Sequence, residues 1–206
     1  MEIYSTEEQQ MQVIQNILHR YWGVIVALVI VVLIAIGGWY FYQSRLSSKT
    51  LEASAAYQKT LVQYAKDGHT KPEVLEQFAK TYQGDGSYPQ FAQLLYVQKL
   101  VQQKNYQKAE GILKETVKVA DEPVKSFAQI RLARIQAQLK QYDNALSTLG
   151  QVNEKVFKGV VASLQGDIWV DKGNFDKARN AYRQALADGD GSDPTLQQKI
   201  DNLAGE

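Results

Sequence analysis

Asp188-Gly189-Asp190-Gly191-Ser192-Asp193 is the segment in which residue types and spacing come nearest to a reactive site, because alternating carboxylates ahead of a serine open like a calcium-binding loop. Such a loop needs glycine at its sixth position and a bidentate glutamate at its twelfth, and here those positions are Asp193 and Lys199. The segment therefore reads as a solvated turn before a terminal helix. The two histidines, His19 and His69, are too far apart in sequence to form a paired ligand motif. Cysteine is absent, which excludes a thiolate nucleophile, a disulfide and a cysteine metal site. The sequence contains no Gly-x-Ser-x-Gly elbow, no phosphate-cradling glycine loop ending in Lys-Ser/Thr and no His-Glu-x-x-His. The expectation is a protein that is not an enzyme, with no catalytic residue, no cofactor and no metal centre.

What does recur is a packing motif. The strings Lys104-Asn105-Tyr106-Gln107-Lys108-Ala109, Lys140-Gln141-Tyr142-Asp143-Asn144-Ala145 and Gly173-Asn174-Phe175-Asp176-Lys177-Ala178 each set an aromatic residue three positions before an alanine. The alanines lie 36 and 33 residues apart, close to the tetratricopeptide period of about 34. A small residue lets a second helix approach the first, and the aromatic wedges the pair together. Tyr106, Ala109, Tyr142, Ala145, Gly173, Phe175 and Ala178 are thus the signature positions of three helical hairpins, at about residues 90–122, 126–158 and 159–190. Arrays shorter than three repeats are marginal, so Leu51 to Tyr82 and Pro194 to Leu203 are expected to act as helical caps.

Stacked hairpins of this kind present an inner face that can hold a segment of another protein. Aligning the three copies puts Phe91, Leu94, Gln98 and Val101 on that face of one first helix, Phe127, Ile130, Arg134 and Ala137 on the next, and Val160, Ser163, Asp167 and Val170 on the third. The mixed apolar and polar stripe suits an amphipathic partner. From this set, Phe91, Leu94, Gln98, Phe127, Ile130, Arg134, Val160 and Asp167 are the candidate partner-binding residues.

Elements that would position these residues are legible from apolar spacing at three and four, with no sustained alternation at two. Helices are expected at about 44–66, 72–82, 89–103, 106–119, 123–139, 142–149, 157–172, 175–187 and 194–203. Pro72, Pro89, Pro123 and Pro194 each precede an amphipathic run, with Thr70, Ser87, Asp121 and Ser192 upstream as capping residues. The fold class is all-α: a single N-terminal transmembrane helix followed by a tetratricopeptide-like solenoid of hairpins.

The membrane helix rests on Gly23 to Tyr42, inside an uncharged run from Tyr21 to Ser44. Twenty residues of helix rise about 30 Å, the thickness of a bilayer's hydrocarbon core. Tyr21 and Trp22 stand at one end and Trp39, Tyr40, Phe41 and Tyr42 at the other, as in an interfacial aromatic belt. A cleaved signal peptide would have a shorter apolar core and a basic leader, whereas this leader carries Glu2, Glu7 and Glu8 against Arg20. The expected layout is a leader at 1–20, a membrane helix at 21–44 and a soluble domain at 45–206. Gly37 and Gly38 are candidates for close helix approach inside the bilayer. Arg20 alone precedes the span while Arg45, Lys49 and Lys59 follow it, a weak lean toward a cytoplasmic C-terminal domain. With 23 basic and 22 acidic residues in the whole chain there is no field to draw it to nucleic acid, and membrane lipid is the expected non-protein contact.

Met1-Glu2-Ile3-Tyr4, the short acidic leader, one span ending in Trp-Tyr, and Ile130-Arg131-Leu132-Ala133-Arg134-Ile135-Gln136-Ala137-Gln138-Leu139-Lys140-Gln141 together resemble the YfgM-type ancillary subunit of the bacterial Sec translocon. That resemblance implies a single-pass inner-membrane protein with a cytoplasmic N-terminus and a periplasmic tetratricopeptide-like domain. It implies association with the SecYEG channel, with a membrane-anchored periplasmic chaperone of the PpiD type and with secretory clients, and a link to a stress-response regulator. The implied topology runs against the charge count. The rival reading is a membrane-tethered scaffold facing the cytoplasm that recruits a signalling regulator.

Overall fold

Amphipathic runs of eight to fifteen residues separated by short polar connections can bury their apolar stripes only against one another, and the computed structural model arranges them so. It describes residues 7–68, 71–189 and 194–203. Met1 to Tyr4, Thr70, His69 and the carboxylate turn at 190–193 lie outside the described residues, as do the side chains of the leader, His19 among them. Every regular element among the described residues is helical.

The chain divides into one unit ending at Leu51 and another beginning at Glu52. Helix α1, Glu7–Lys66, belongs to both and has no break at residue 44, where the sequence suggests one helix giving way to another. Its apolar stretch makes it the one helix among the described residues that is long and apolar enough to cross a membrane. The side chains described between Trp22 and Lys49 are all exposed, so their apolar surface is left for lipid or for another protein. At the polar end of that stretch the Arg45 guanidinium stacks 5.1 Å from the Phe41 ring centroid.

In the second unit α2, Glu73–Thr81, is followed by three hairpins: α3 with α4, Tyr88–Gln102 and Tyr106–Val119; α5 with α6, Val124–Gln138 and Tyr142–Leu149; α7 with α8, Lys158–Asp171 and Phe175–Asp188. A single 3-10 turn at Lys155–Phe157 leads into α7, and α9, Pro194–Asn202, closes the series. These bounds fall within a residue or two of the apolar periodicity, because the connections are short and rich in residues that stop helices.

Each hairpin turns through the same backbone device. Lys104, Lys140 and Gly173 take φ of 58°, 60° and 73°. Their N–H groups bond the carbonyls of Val101, Ala137 and Val170, and the following N–H groups of Asn105, Gln141 and Asn174 reach back to Leu100, Gln136 and Trp169, at 2.8–2.9 Å throughout. This is a Schellman ending, which satisfies carbonyls that the helix would otherwise leave open. The next residue starts the second helix. Asn105 and Asn174 cap it by accepting from the N–H of Lys108 and of Lys177, at 3.4 and 3.1 Å. Gln141, one methylene longer, makes no such cap.

The prolines do stand at helix starts, but the capping expected of Ser87 does not occur: its side chain makes no cap bond. For α5 the cap comes from Glu122, whose carboxylate accepts from the Ser126 N–H at 3.1 Å. Signature alanines Ala109, Ala145 and Ala178 are fully buried between the helices of their hairpins. Tyr106, Tyr142 and Phe175 pack beside three core clusters, centred on α2–α5, on α5–α7 and on α7–α9.

Candidate interaction surface

Helices α3, α5 and α7 are the first members of the three hairpins, and the candidate residues lie along them. Burial sorts those residues into two groups. Leu94 and Ile130 are only 6% and 4% exposed and belong to the core, which corrects their assignment to the surface stripe. They sit one helical turn from the surface residues, close enough for neighbouring helices to cover them. Phe91, Phe127 and Val160 are about 40% exposed, a large apolar investment for positions open to water. Gln98 and Arg134 are exposed, and Asp167 is half-buried.

Two depressions run along this face and share Arg134. One, of about 260 Å³, lies between α3 and α5 and is walled by Val97, Val101, Tyr106, Arg131 and Ile135, with Gln98 at its edge. The other, of about 400 Å³, lies between α5, α7 and the end of α8, lined by Val156, Val160, Ser163, Asp167 and Leu196. Gln98, Arg134, Val160 and Asp167 therefore come together in one groove system, while Phe91 and Phe127 lie outside the lining of either depression.

Charge in the groove is uneven. Asp167 accepts through Oδ1 from the Tyr182 hydroxyl at 2.7 Å and from Lys199 Nζ at 2.5 Å, so its charge is paired within the chain. Burial, then the hydrogen bond to Asp167, push the Tyr182 phenol above its usual range. Arg131 donates from Nη1 to the Leu94 carbonyl at 2.9 Å and stacks 4.6 Å from the Phe127 ring centroid. Burial, and then the charge of Arg134, lower the pKa of Arg131. A second polar cluster sits away from this face: Glu76 holds Lys80 and Lys108, and Lys108 Nζ also donates to the Tyr96 hydroxyl at 2.5 Å. Hydrogen bonds from Lys80 first, then Tyr96 and Lys108, hold the Glu76 carboxyl at about 2.

Among the described residues no group of three His, Asp or Glu is placed to hold a metal ion. Residues 16–205 match the tetratricopeptide repeat-like domain family. A protein of Aggregatibacter actinomycetemcomitans is 31% identical over 96% of this chain and 97% of its own length, and one of Escherichia coli is 30% identical over 99% and 100%; both are named ancillary SecYEG translocon subunit. The chain belongs to the ancillary SecYEG translocon subunit family.

Solved structures share the fold of this family member at lower identity. MamA of Desulfovibrio magneticus superposes with a TM-score of 0.55 at 18% identity, over 75% of this chain and 83% of that one. Nearly identical TPR-like repeats from Podosopora anserina give 0.55 at 19%, over 79% and 86%.

In this translocon-family chain Ala109, Ala145 and Ala178 are buried and Tyr106, Tyr142 and Phe175 pack beside the cores, whereas Gly173 serves the turn. Gly37 and Gly38 have nothing within 4 Å of where a Cβ would stand, so a neighbouring helix could approach them closely. Two residues escape sequence reasoning. Gly166 lies under Tyr182, where a Cβ would come within 2.4 Å of the ring, and its only signal is a small residue one turn before Val170. Arg131 is signalled by its spacing of four from Phe127, the i,i+4 pairing that places a cation over a ring.

Proposed function

We propose that this chain is a non-enzymatic ancillary subunit of the Sec machinery, anchored in a bacterial inner membrane by α1 with its N-terminus in the cytoplasm and its repeats in the periplasm. The α3–α5–α7 groove holds a segment of a PpiD-type membrane-anchored chaperone or of a secretory client, and the apolar part of α1 docks beside SecYEG through Gly37 and Gly38. The observation that carries this reading is the groove itself: two adjoining depressions with Arg134 between them and Phe91, Phe127 and Val160 held partly open to water around it. The names of the relatives supply the Sec machinery as the setting.

Because the chain lacks cysteine, a Ser87→Cys variant carries a single thiol on an exposed residue. Labelling by a membrane-impermeant thiol reagent in spheroplasts is the expected result; protection until the inner membrane is lysed would overturn the orientation. Protection would favour the second reading, a membrane-tethered scaffold facing the cytoplasm that recruits a signalling regulator, which the excess of Arg45, Lys49 and Lys59 over Arg20 supports. Replacing Phe127 by Asp together with Arg134 by Glu is expected to abolish co-purification of the chaperone while SecYEG is retained. Gly37→Ile with Gly38→Ile is expected to do the reverse.

A further inference from the structure

Among the described residues Lys80, Lys108, Lys114, Lys118, Lys172, Arg179 and Lys199 each hold a carboxylate. Arg131 and Arg134 hold none, as is also true of exposed cations such as Lys59, Lys140 and Arg183; what distinguishes these two is that they stand one turn apart on α5 and both wall the cleft between α3 and α5. Arg131 has only the Leu94 carbonyl and the face of Phe127, and Arg134 makes no hydrogen bond or ion pair among the described residues. Two facing guanidinium groups with no counter-ion repel each other, and half-burial of Arg131 sharpens the repulsion. The carboxylate of Asp167, which lines the adjoining depression, pairs with neither arginine: its bonds are to Tyr182 and Lys199. Beside these charges the cleft is apolar, lined by Val97, Val101, Tyr106 and Ile135, with room for one large side chain.

We infer that the α3–α5 cleft takes an acidic amphipathic segment of a partner protein, in which a bulky aliphatic or aromatic side chain enters between Val101 and Ile135 while an Asp or Glu within one helical turn of it binds Arg131 and Arg134. The inference rests on the reading of the groove as a partner site and adds the chemistry that selects the partner. A side-chain carboxylate fits because guanidinium forks bind it bidentately, and because it supplies the one charge the cleft lacks. Hydrophobic insertion supplies affinity and the carboxylate fixes register.

The test uses the full chain in nanodiscs and fluorescein-labelled, C-terminally amidated helical peptides about four turns long, with a central Leu and either Glu or Gln one turn away. The Glu peptide is expected to bind about tenfold more tightly than the Gln peptide. That ratio should fall to about one in Arg134→Gln and be partly restored in Arg134→Lys, and Val101→Trp, which fills the cleft, should weaken both peptides. Equal binding of the two peptides, a ratio unchanged in Arg134→Gln, or no binding of either peptide overturns the inference. If the peptides bind equally but Phe127→Asp and Val160→Asp release them, the groove remains the partner site and only its acidic specificity is lost. Binding indifferent to those substitutions as well removes both.

Discussion

The α3–α4 and α7–α8 hairpins solve one packing problem with opposite choices. Seven residues before its left-handed turn, each first helix places a residue against the second helix: Val97 in the first hairpin, Ala133 in the middle one, Gly166 in the last. The facing position nine residues after the turn is Leu113, then Leu149, then Tyr182. All six are buried: Val97 and Leu113 share one core cluster, Ala133 and Leu149 another, and Gly166 lies against the Tyr182 ring. Between the two outer hairpins one partner shrinks from Val to Gly while the other grows from Leu to Tyr, an exchange of volume across the pair that the middle hairpin, with Ala133 and Leu149, does not make. Polar clamps differ as well. Glu76 with Tyr96 and Lys108 ties α2 to α3 and α4, and Asp167 with Tyr182 and Lys199 ties α7 to α8 and α9, whereas the middle hairpin has a neutral bond from Thr148 to Gln136 at 2.8 Å.

The comparison breaks first at Gly166. Gly166→Val should drive its side chain into the Tyr182 ring and cost about 3 kcal/mol in urea unfolding. Gly166→Ala paired with Tyr182→Leu copies the middle hairpin and should recover most of the loss suffered by Gly166→Ala alone, a coupling read from a double-mutant cycle. Failure of that rescue would mean the volume exchange is incidental.

Next comes the first clamp. The Glu76 carboxyl titrates at about 2 in the folded chain against an ordinary value of 4.5, so its contribution is present above 4.5 and is lost as pH falls toward 2. Glu76→Gln should therefore cost about 1–2 kcal/mol at neutral pH and flatten the stability profile in that acid window. An unchanged profile would show that the α2–α4 clamp contributes nothing measurable.

Turn chemistry sharpens the comparison further. Gly173→Ala should cost about 1 kcal/mol, since φ of 73° disfavours any Cβ, while Lys104→Gly and Lys140→Gly should each stabilise by a similar amount. Effects no larger than these are expected at the caps. Asn174→Ala should lose about 1 kcal/mol and Gln141→Asn gain about 0.5, giving the middle hairpin the cap its neighbours have. Thermal unfolding midpoints of the five variants would rank them.

Much of this molecule is a local matter and was readable in advance. The apolar run of α1, the aromatic-to-alanine strings at the three turns and the period near 34 all depend on residues within a few positions of one another, so they are written in spacing alone. Helix periodicity fixes a buried stripe only to within about one residue, because adjacent stripe positions differ by a small rotation about the axis. That is why Leu94 and Ile130 could be placed beside Phe91 and Phe127 on the surface, and why the packing of α3 against α2 and α4, and of α5 against its neighbours, was needed to bury the first pair and leave the second open.

Local spacing is enough for an all-helical chain with one membrane-length helix and three hairpins that turn at the aromatic-to-alanine strings, since apolar periodicity and turn chemistry act over one or two turns. Contacts between helices are what set the left-handed backbone of Lys104 and Lys140 in a hairpin, press Gly166 against Tyr182, pair Asp167 with Lys199 from a helix 32 residues away, and leave Arg131 and Arg134 beside a cleft with no carboxylate of their own. Those outcomes depend on which groups meet across helices, and volume and charge are balanced between elements, not along them.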